Sequence, residues 1–287
     1  MTILAIDIGG TKIAFGLIES GQLLERRQCP TPKVESLEQF CDYLLLHCKD
    51  WSEQASKIGI STTGLVTEQG ISAINPDTFN FPTPFPLQQA LEFITGKPVA
   101  MLNDAQAAAW YEYVQLGESG KSIAYLTVST GVGGGIIIDG KLHKGSHNFA
   151  GHIGHTVVDL NGPECGCGQC GCVEALASGT AIARRAHAEI DPSISNITLF
   201  AMAKTDPAAR AIINQSVTAI SALCCNLKAS LDLDLIILGG GVGLADNYLN
   251  LVQQQVAKAP KVFQLPIIAA QGDYDACLLG AAFQFSE

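Results

Sequence analysis

The chain has 287 residues, 47% of them hydrophobic and 15% charged, with a formal net charge of −10. That length suits two ordinary domains or one large one, and so little charge argues against long disordered stretches. An acidic chain with no basic stripe argues against nucleic-acid binding, which needs Lys and Arg to displace counterions, but backbone N–H groups can still hold an anionic ligand.

The opening stretch "MTILAIDIGGTK" has no basic n-region, and Asp7 interrupts its short apolar run, so it does not read as a signal peptide. No window reaches the ~18 uncharged apolar residues of a membrane span. The expectation is a cytoplasmic protein without membrane contact, whose ten cysteines are not disulfides. Cys29, Cys41, Cys48, Cys224, Cys225 and Cys277 lie scattered in apolar or amphipathic segments and read as small buried hydrophobes.

In chain order, "TILAIDI" (2–8) predicts a strand, "GGT" a turn, "KIAFGLIE" (12–19) a second strand and "SGQ" a hairpin turn. A helical pattern follows over 35–49, then a strand in "KIGISTTG" (57–64). Four prolines make 75–86 an irregular loop. "KPVAMLN" (97–103) predicts a buried strand, and 104–116 a helix opening on an Asp suited to its N-terminus. The layout then restarts: strand 122–128, the turn "STGVGGG" (129–135), and a strand through "IIID". Residues 140–155 read as a polar loop rich in Gly and His, and 175–230 as almost wholly helical. A strand running into glycines (234–243), a helix (245–258), a strand (265–270) and a last helix (276–285) complete the chain. Two segments thus share one layout, "AIDIGGTKIAFGLI" and "LTVSTGVGGGIIID", which implies two similar α/β domains facing a cleft. The division is expected near residue 117. One domain would span 1–117 and recover the C-terminal helix at about 275–287; the other would span 118–274.

Three Gly-rich turns follow buried strands: "DIGGTK" (7–12), "STGVGGG" and "LGGGVG" (238–243). Glycine lets backbone amides approach a ligand closely, and three such turns in order point to a nucleotide. Asp7, at a strand end beside such a cradle, suits Mg²⁺ held through water; otherwise it is a turn Asp bonded to its own backbone. Asp104, where a strand meets a helix, either accepts the proton of a substrate hydroxyl in phosphoryl transfer or merely caps the helix, with Asn103 beside it for substrate. Finally, His143, His147, His152 and His155 fall just before "CGCGQCGC" (165–172). Thiolates so close repel unless a cation neutralises them, and a Cys165–Cys167 disulfide would be strained, so zinc is expected.

Together these motifs resemble the ROK family of repressors and sugar kinases, across essentially the whole chain. "DIGGTK" and "STGVGGGIII" look like its two phosphate motifs, and "GHIGH" followed by "CGCGQCGCVE" like its sugar- and zinc-binding signature. The resemblance implies the actin-like, hexokinase-type ATPase fold, a duplication of ribonuclease H-like domains. It makes His155, Cys165, Cys167 and Cys172 the structural zinc ligands, with a four-cysteine site in which Cys170 replaces His155 as the alternative, and Asp104 the catalytic base. Asn103, Asp104, His152, His155 and Glu174 would face the sugar. ATP would lie along Ala5, Ile6, Asp7, Ile8, Gly9, Gly10, Thr11 and Lys12, and along Gly131, Val132, Gly133, Gly134, Gly135, Ile136, Ile137 and Ile138. A homodimer is implied as well. Repressors of this family carry a helix-turn-helix ahead of the first phosphate motif, and only six residues precede Asp7, so a kinase is expected.

Family glucokinases usually have Glu where this chain has His152. An imidazole can donate as well as accept, which suits the carbonyl of an N-acetyl group. "AGHIGH", with "NDAQAAAW" and "VSTGVGGG", looks most like the members that phosphorylate N-acetylmannosamine at O6 in sialic acid breakdown. The alternatives are a kinase for glucose or N-acetylglucosamine, and a non-catalytic sugar sensor on the same fold.

Overall fold

The structure is a computed structural model that describes residues 1–73, 83–272 and 275–285. The proline-rich loop expected at 75–86 therefore lies outside the described residues as far as residue 82. The chain divides into two compact units: residues 1–117, 144–149 and 272–287 in one, 118–143 and 150–271 in the other.

In the first unit, β1 (Thr2–Ile8), β2 (Lys12–Glu19) and β3 (Gln22–Pro30) form an antiparallel meander. β4 (Lys57–Thr62) and β7 (Val99–Asn103) extend it in parallel, giving the sheet order β3-β2-β1-β4-β7. A short hairpin, β5 (Leu65–Thr67) and β6 (Gly70–Ser72), follows β4. β3 was not visible as a strand, because most of its side chains are polar and exposed and only Cys29 is buried. Side chains alternate across β1. Leu4, Ile6 and Ile8 enter one core with α1 (Leu37–Gln54) and α2 (Leu87–Thr95). Ile3 and Ala5 enter another with α10 (Ala276–Phe283), which packs on α3 (Asp104–Leu116). The last helix lies so close that a side chain at Gly59 would strike the carbonyl of Ala281, and one at Gly280 the carbonyl of Ala107.

The second unit repeats the topology. β8 (Ile123–Val128), β9 (Val132–Ile138) and β10 (Lys141–Leu142) are antiparallel, and β11 (Leu235–Gly239) and β12 (Ile267–Ala269) add in parallel, in the order β10-β9-β8-β11-β12. Gly133, Gly134 and Gly135, expected in the turn, lie inside β9, which shortens the turn to 129–131. Gly134 leaves room for the "GHIGH" segment, since a side chain there would strike Ile153. Helices α4 (Val173–Ala177), α5 (Gly179–Glu189), α6 (Asn196–Met202), α7 (Pro207–Leu231), α8 (Gly240–Gly243) and α9 (Tyr248–Val256) complete the unit. α7 is long and apolar enough by composition to cross a membrane, yet Ile212, Ile213, Val217, Ile220, Leu223 and Leu227 are core residues of this unit.

Candidate functional site

Parallel strands bring their carboxyl ends to one edge, where ligands of open α/β sheets bind. In the first unit that edge collects Asp7, Ser61 and Asn103. Asp7 pairs in register with Ser61, and Thr62 with Asn103. The strand period of two puts Asp7 on the face of Ile3 and Ala5, toward α3 and α10. Ser61, fully buried, donates its hydroxyl to Oδ1 of Asp7 at 2.6 Å. Cys277, in the first turn of α10, donates its thiol to the backbone carbonyl of Asp104 at 3.5 Å.

Asn103, not Asp104, caps α3: its side chain accepts from Ala105 N at 3.0 Å, and Gln106 closes a reciprocal capping box. Asn103 also donates to the carbonyl of Gly64 at 2.8 Å. Asp104 is the first helical residue, with Oδ1 accepting from Ala105 N at 2.8 Å. It keeps some exposed surface but is surrounded by protein. Burial, reinforced by the charge of Asp7, pushes its pKa up to about 6, against the pull of the helix amides. Burial also raises the pKa of Asp7, while Ser61 is the first of the groups that lower it.

The turn after β1 is closed by Gly9 N donating to Lys12 O at 3.0 Å, and Thr31 ties to the carbonyl of Gly9 at 2.6 Å. Gly10, Thr11 and Lys12 are exposed, and a side chain at Gly10 would meet nothing within 4 Å. Ala5, Ile6 and Ile8 are buried in the sheet core, as are Ile136 and Ile137.

In the second unit the turn after β8 is laced to α5: Gly179 N donates to Ser129 O at 2.7 Å, and the Thr180 hydroxyl to Thr130 O at 2.9 Å. Beside it opens a cavity of ≈ 790 Å³ lined by Ser129, Thr130, Thr180, Arg184, Asn196 and Gly241, among others. A mostly apolar neighbour of ≈ 350 Å³ shares Asn196, Gly241 and Val242 with it. Asn196 donates to Gly179 O at 2.9 Å, while its buried Oδ1 finds no partner among the described residues. Sequence reasoning found the glycines here but missed Arg184 and Asn196. They lie on two further helices, and no local pattern links them to a Gly-rich turn.

The cysteine cluster folds around His155. Its ring, with Cys165, Cys167 and Cys172, presents four ligand atoms that all lie within 4.8 Å of one another. Cys165 Sγ is 3.7 Å from His155 Nδ1, and Cys167 Sγ is 3.7 Å from Cys172 Sγ. A tetrahedral zinc with Zn–S of about 2.3 Å and Zn–N of about 2.0 Å needs ligand separations of about 3.5–3.8 Å. Cys170 is exposed and outside this group. His152, half-buried, is kept neutral near pH 7 because burial, with His155 nearby, pushes its pKa down to about 4. Glu174, on the first turn of α4, accepts from Val132 N at 3.0 Å.

A family model described as the ROK family matches residues 3–287. The chain belongs to the ROK family. Its fold is that of ROK hexokinases: the Thermus thermophilus ROK hexokinase structure superposes with a TM-score of 0.87 at 33% identity, covering 98% of this chain and 97% of that one. Among curated ROK relatives, the N-acetylmannosamine kinase of Vibrio vulnificus (strain YJ016) is 60% identical over 100% of this chain and 99% of its own length. That of Vibrio cholerae (strain M66-2) is 56% identical over the full length of both.

Proposed function

We propose that this chain is a cytoplasmic kinase that transfers the γ-phosphoryl group of ATP to O6 of N-acetylmannosamine, giving the 6-phosphate. The observation that carries the reading is Asp104. It follows the cap residue Asn103, is raised to a pKa of about 6, and stands at the strand ends beside the carboxylate of Asp7. The substrate assignment is supported by full-length relatives at 56–60% identity named N-acetylmannosamine kinase.

Bound Mg²⁺·ATP supplies the transferable phosphoryl group and neutralises its developing charge. The residues present fit such a group. The open space above Gly10 admits a phosphate to the backbone, and the ≈ 790 Å³ cavity suits a nucleoside. The apolar extension, with the orphan acceptor of Asn196 beside it, suits an adenine and its exocyclic amine. Asp7 would hold Mg²⁺ through water, its orientation fixed by Ser61.

Asp104 accepts the O6 proton late in a loose transition state, so its main work is orienting the hydroxyl. Asn103 holds the sugar beside it. Neutral His152 can donate to the N-acetyl carbonyl, and Glu174 accepts from a sugar hydroxyl through the oxygen that Val132 does not use. His155, Cys165, Cys167 and Cys172 hold a structural zinc that fixes the loop carrying His152 to the helix carrying Glu174.

The deciding assay follows ADP release with ATP, Mg²⁺ and a hexose panel. Turnover on N-acetylmannosamine at least tenfold above glucose and N-acetylglucosamine is expected. A preference for glucose would overturn the role given to His152. Sugar binding without ADP release would make the chain a sensor.

A further inference from the structure

Gly131 is not glycine for the sake of its backbone. Its φ lies outside the left-handed range, so it does not supply the backbone conformation that favours glycine. What it lacks is room for a side chain of its own, because a Cβ there would sit 2.6 Å from Oε2 of Glu174. That same oxygen accepts the N–H of Val132 at 3.0 Å. The other end of this short segment is also gripped, because Gly154 of the "GHIGH" turn lies flat on the carbonyl of Val132, where a side chain could not fit. Glu174 itself lies in the first turn of α4, two residues after Cys172, and Val173 N donates to Thr156 O at 3.0 Å, beside His155. Val132, which follows the turn at 129–131, is therefore held at its N–H by Glu174 and packed at its carbonyl by Gly154, each within two residues of a member of the His–Cys cluster.

We propose that the Glu174–Val132 hydrogen bond makes sugar and nucleotide bind cooperatively, with Gly131 the positioning residue that leaves room for it. The proposal rests on reading Glu174 as a sugar contact and the turn after β8 as a phosphate contact. With Oε2 engaged by Val132, Oε1 is the oxygen that faces a sugar hydroxyl. A sugar on Oε1 orders the carboxylate that holds the turn. Phosphates on the turn order the amide that holds the carboxylate. Each ligand thus prepays part of the ordering that the other needs, and the effect is reciprocal.

Calorimetric sugar titrations with and without a non-hydrolysable ATP analogue test this. The readout is the ratio of the two sugar Kd values, beside thermal midpoint and zinc content. In the wild type the nucleotide should tighten sugar binding about fivefold or more, the lower end of ordinary coupling. Gly131→Ala pushes Glu174 off the amide, so its ratio should fall to about one while zinc content holds. Glu174→Gln, whose amide oxygen can still accept from Val132, should keep part of the coupling, and Glu174→Ala none. A wild-type ratio of one, or a wild-type ratio preserved in Glu174→Ala, would overturn the proposal alone. Wild-type protein that binds neither ligand would overturn the reading beneath it as well.

Discussion

Asp7 and Ser61 face each other across two parallel strands, and the hydroxyl of the fully buried Ser61 donates to Oδ1 of the half-buried Asp7 over 2.6 Å. A hydrogen bond to a charged group contributes about 1.5–3 kcal/mol. Ser61→Ala should therefore lower kcat about 10- to 100-fold and raise the Mg²⁺ concentration needed for half-maximal rate. Sugar affinity, measured calorimetrically without nucleotide, should not move. Equal losses in sugar affinity and kcat would instead mean general disruption of the sheet edge.

Asp104→Asn keeps the size and the helix start but removes the proton acceptor. Turnover should fall by several orders of magnitude while ATP and N-acetylmannosamine still bind, as followed by ADP release and by equilibrium titration. Turnover near that of the wild type would take Asp104 out of the mechanism.

The pH dependence follows from the same residue. A general base works only when deprotonated, and burial raises the pKa of Asp104 to about 6. Activity should be full above that value and fall about tenfold per pH unit below it. His152, pushed down to about 4, stays neutral throughout this window and should leave no second step above pH 5. A kcat/KM profile between pH 4.5 and 8 would show one acid limb.

Zinc content discriminates among the five candidate ligands. His155→Ala should lose the metal, and Cys170→Ser should retain it, because Cys170 is exposed and lies outside the group formed by His155, Cys165, Cys167 and Cys172. Metal analysis of the purified variants checks both. The reverse pattern would move the site to the four sulfurs.

Gly280→Ala tests the packing of the last helix, since the new methyl group would strike the carbonyl of Ala107 in α3. Overpacking of this kind costs typically about 1–3 kcal/mol, and more where backbone is the obstacle. Urea unfolding should show a loss at or above that upper figure. Gly96→Ala makes a useful contrast: its added methyl meets nothing within 4 Å, so only the strain of its left-handed backbone, φ 67°, remains.

Much of this protein is written locally. Strand periodicity, Gly-rich turns and the His and Cys spacing act over a few residues, so β1, β2, β4 and α3 were readable in the sequence, as was the family. The duplication was readable too, because both copies repeat an apolar strand, a turn and a second strand. β3 was hidden, since an edge strand of exposed polar residues carries no apolar alternation, and its pairing with β2 alone makes it a strand.

Other features depend on elements distant in sequence. Which of Asn103 and Asp104 caps α3 could not be settled from composition, because Asn and Asp cap equally well; the cap fell on Asn103. The bond from Ser61 to Asp7 spans 54 positions, and that from Val132 to Glu174 spans 42. No short-range pattern encodes such pairs. The sequence by itself determined which chemical groups the chain possesses and the turns that present them. Only the tertiary structure decided which of those groups meet, because burial and strand register are set by the packing of the whole unit.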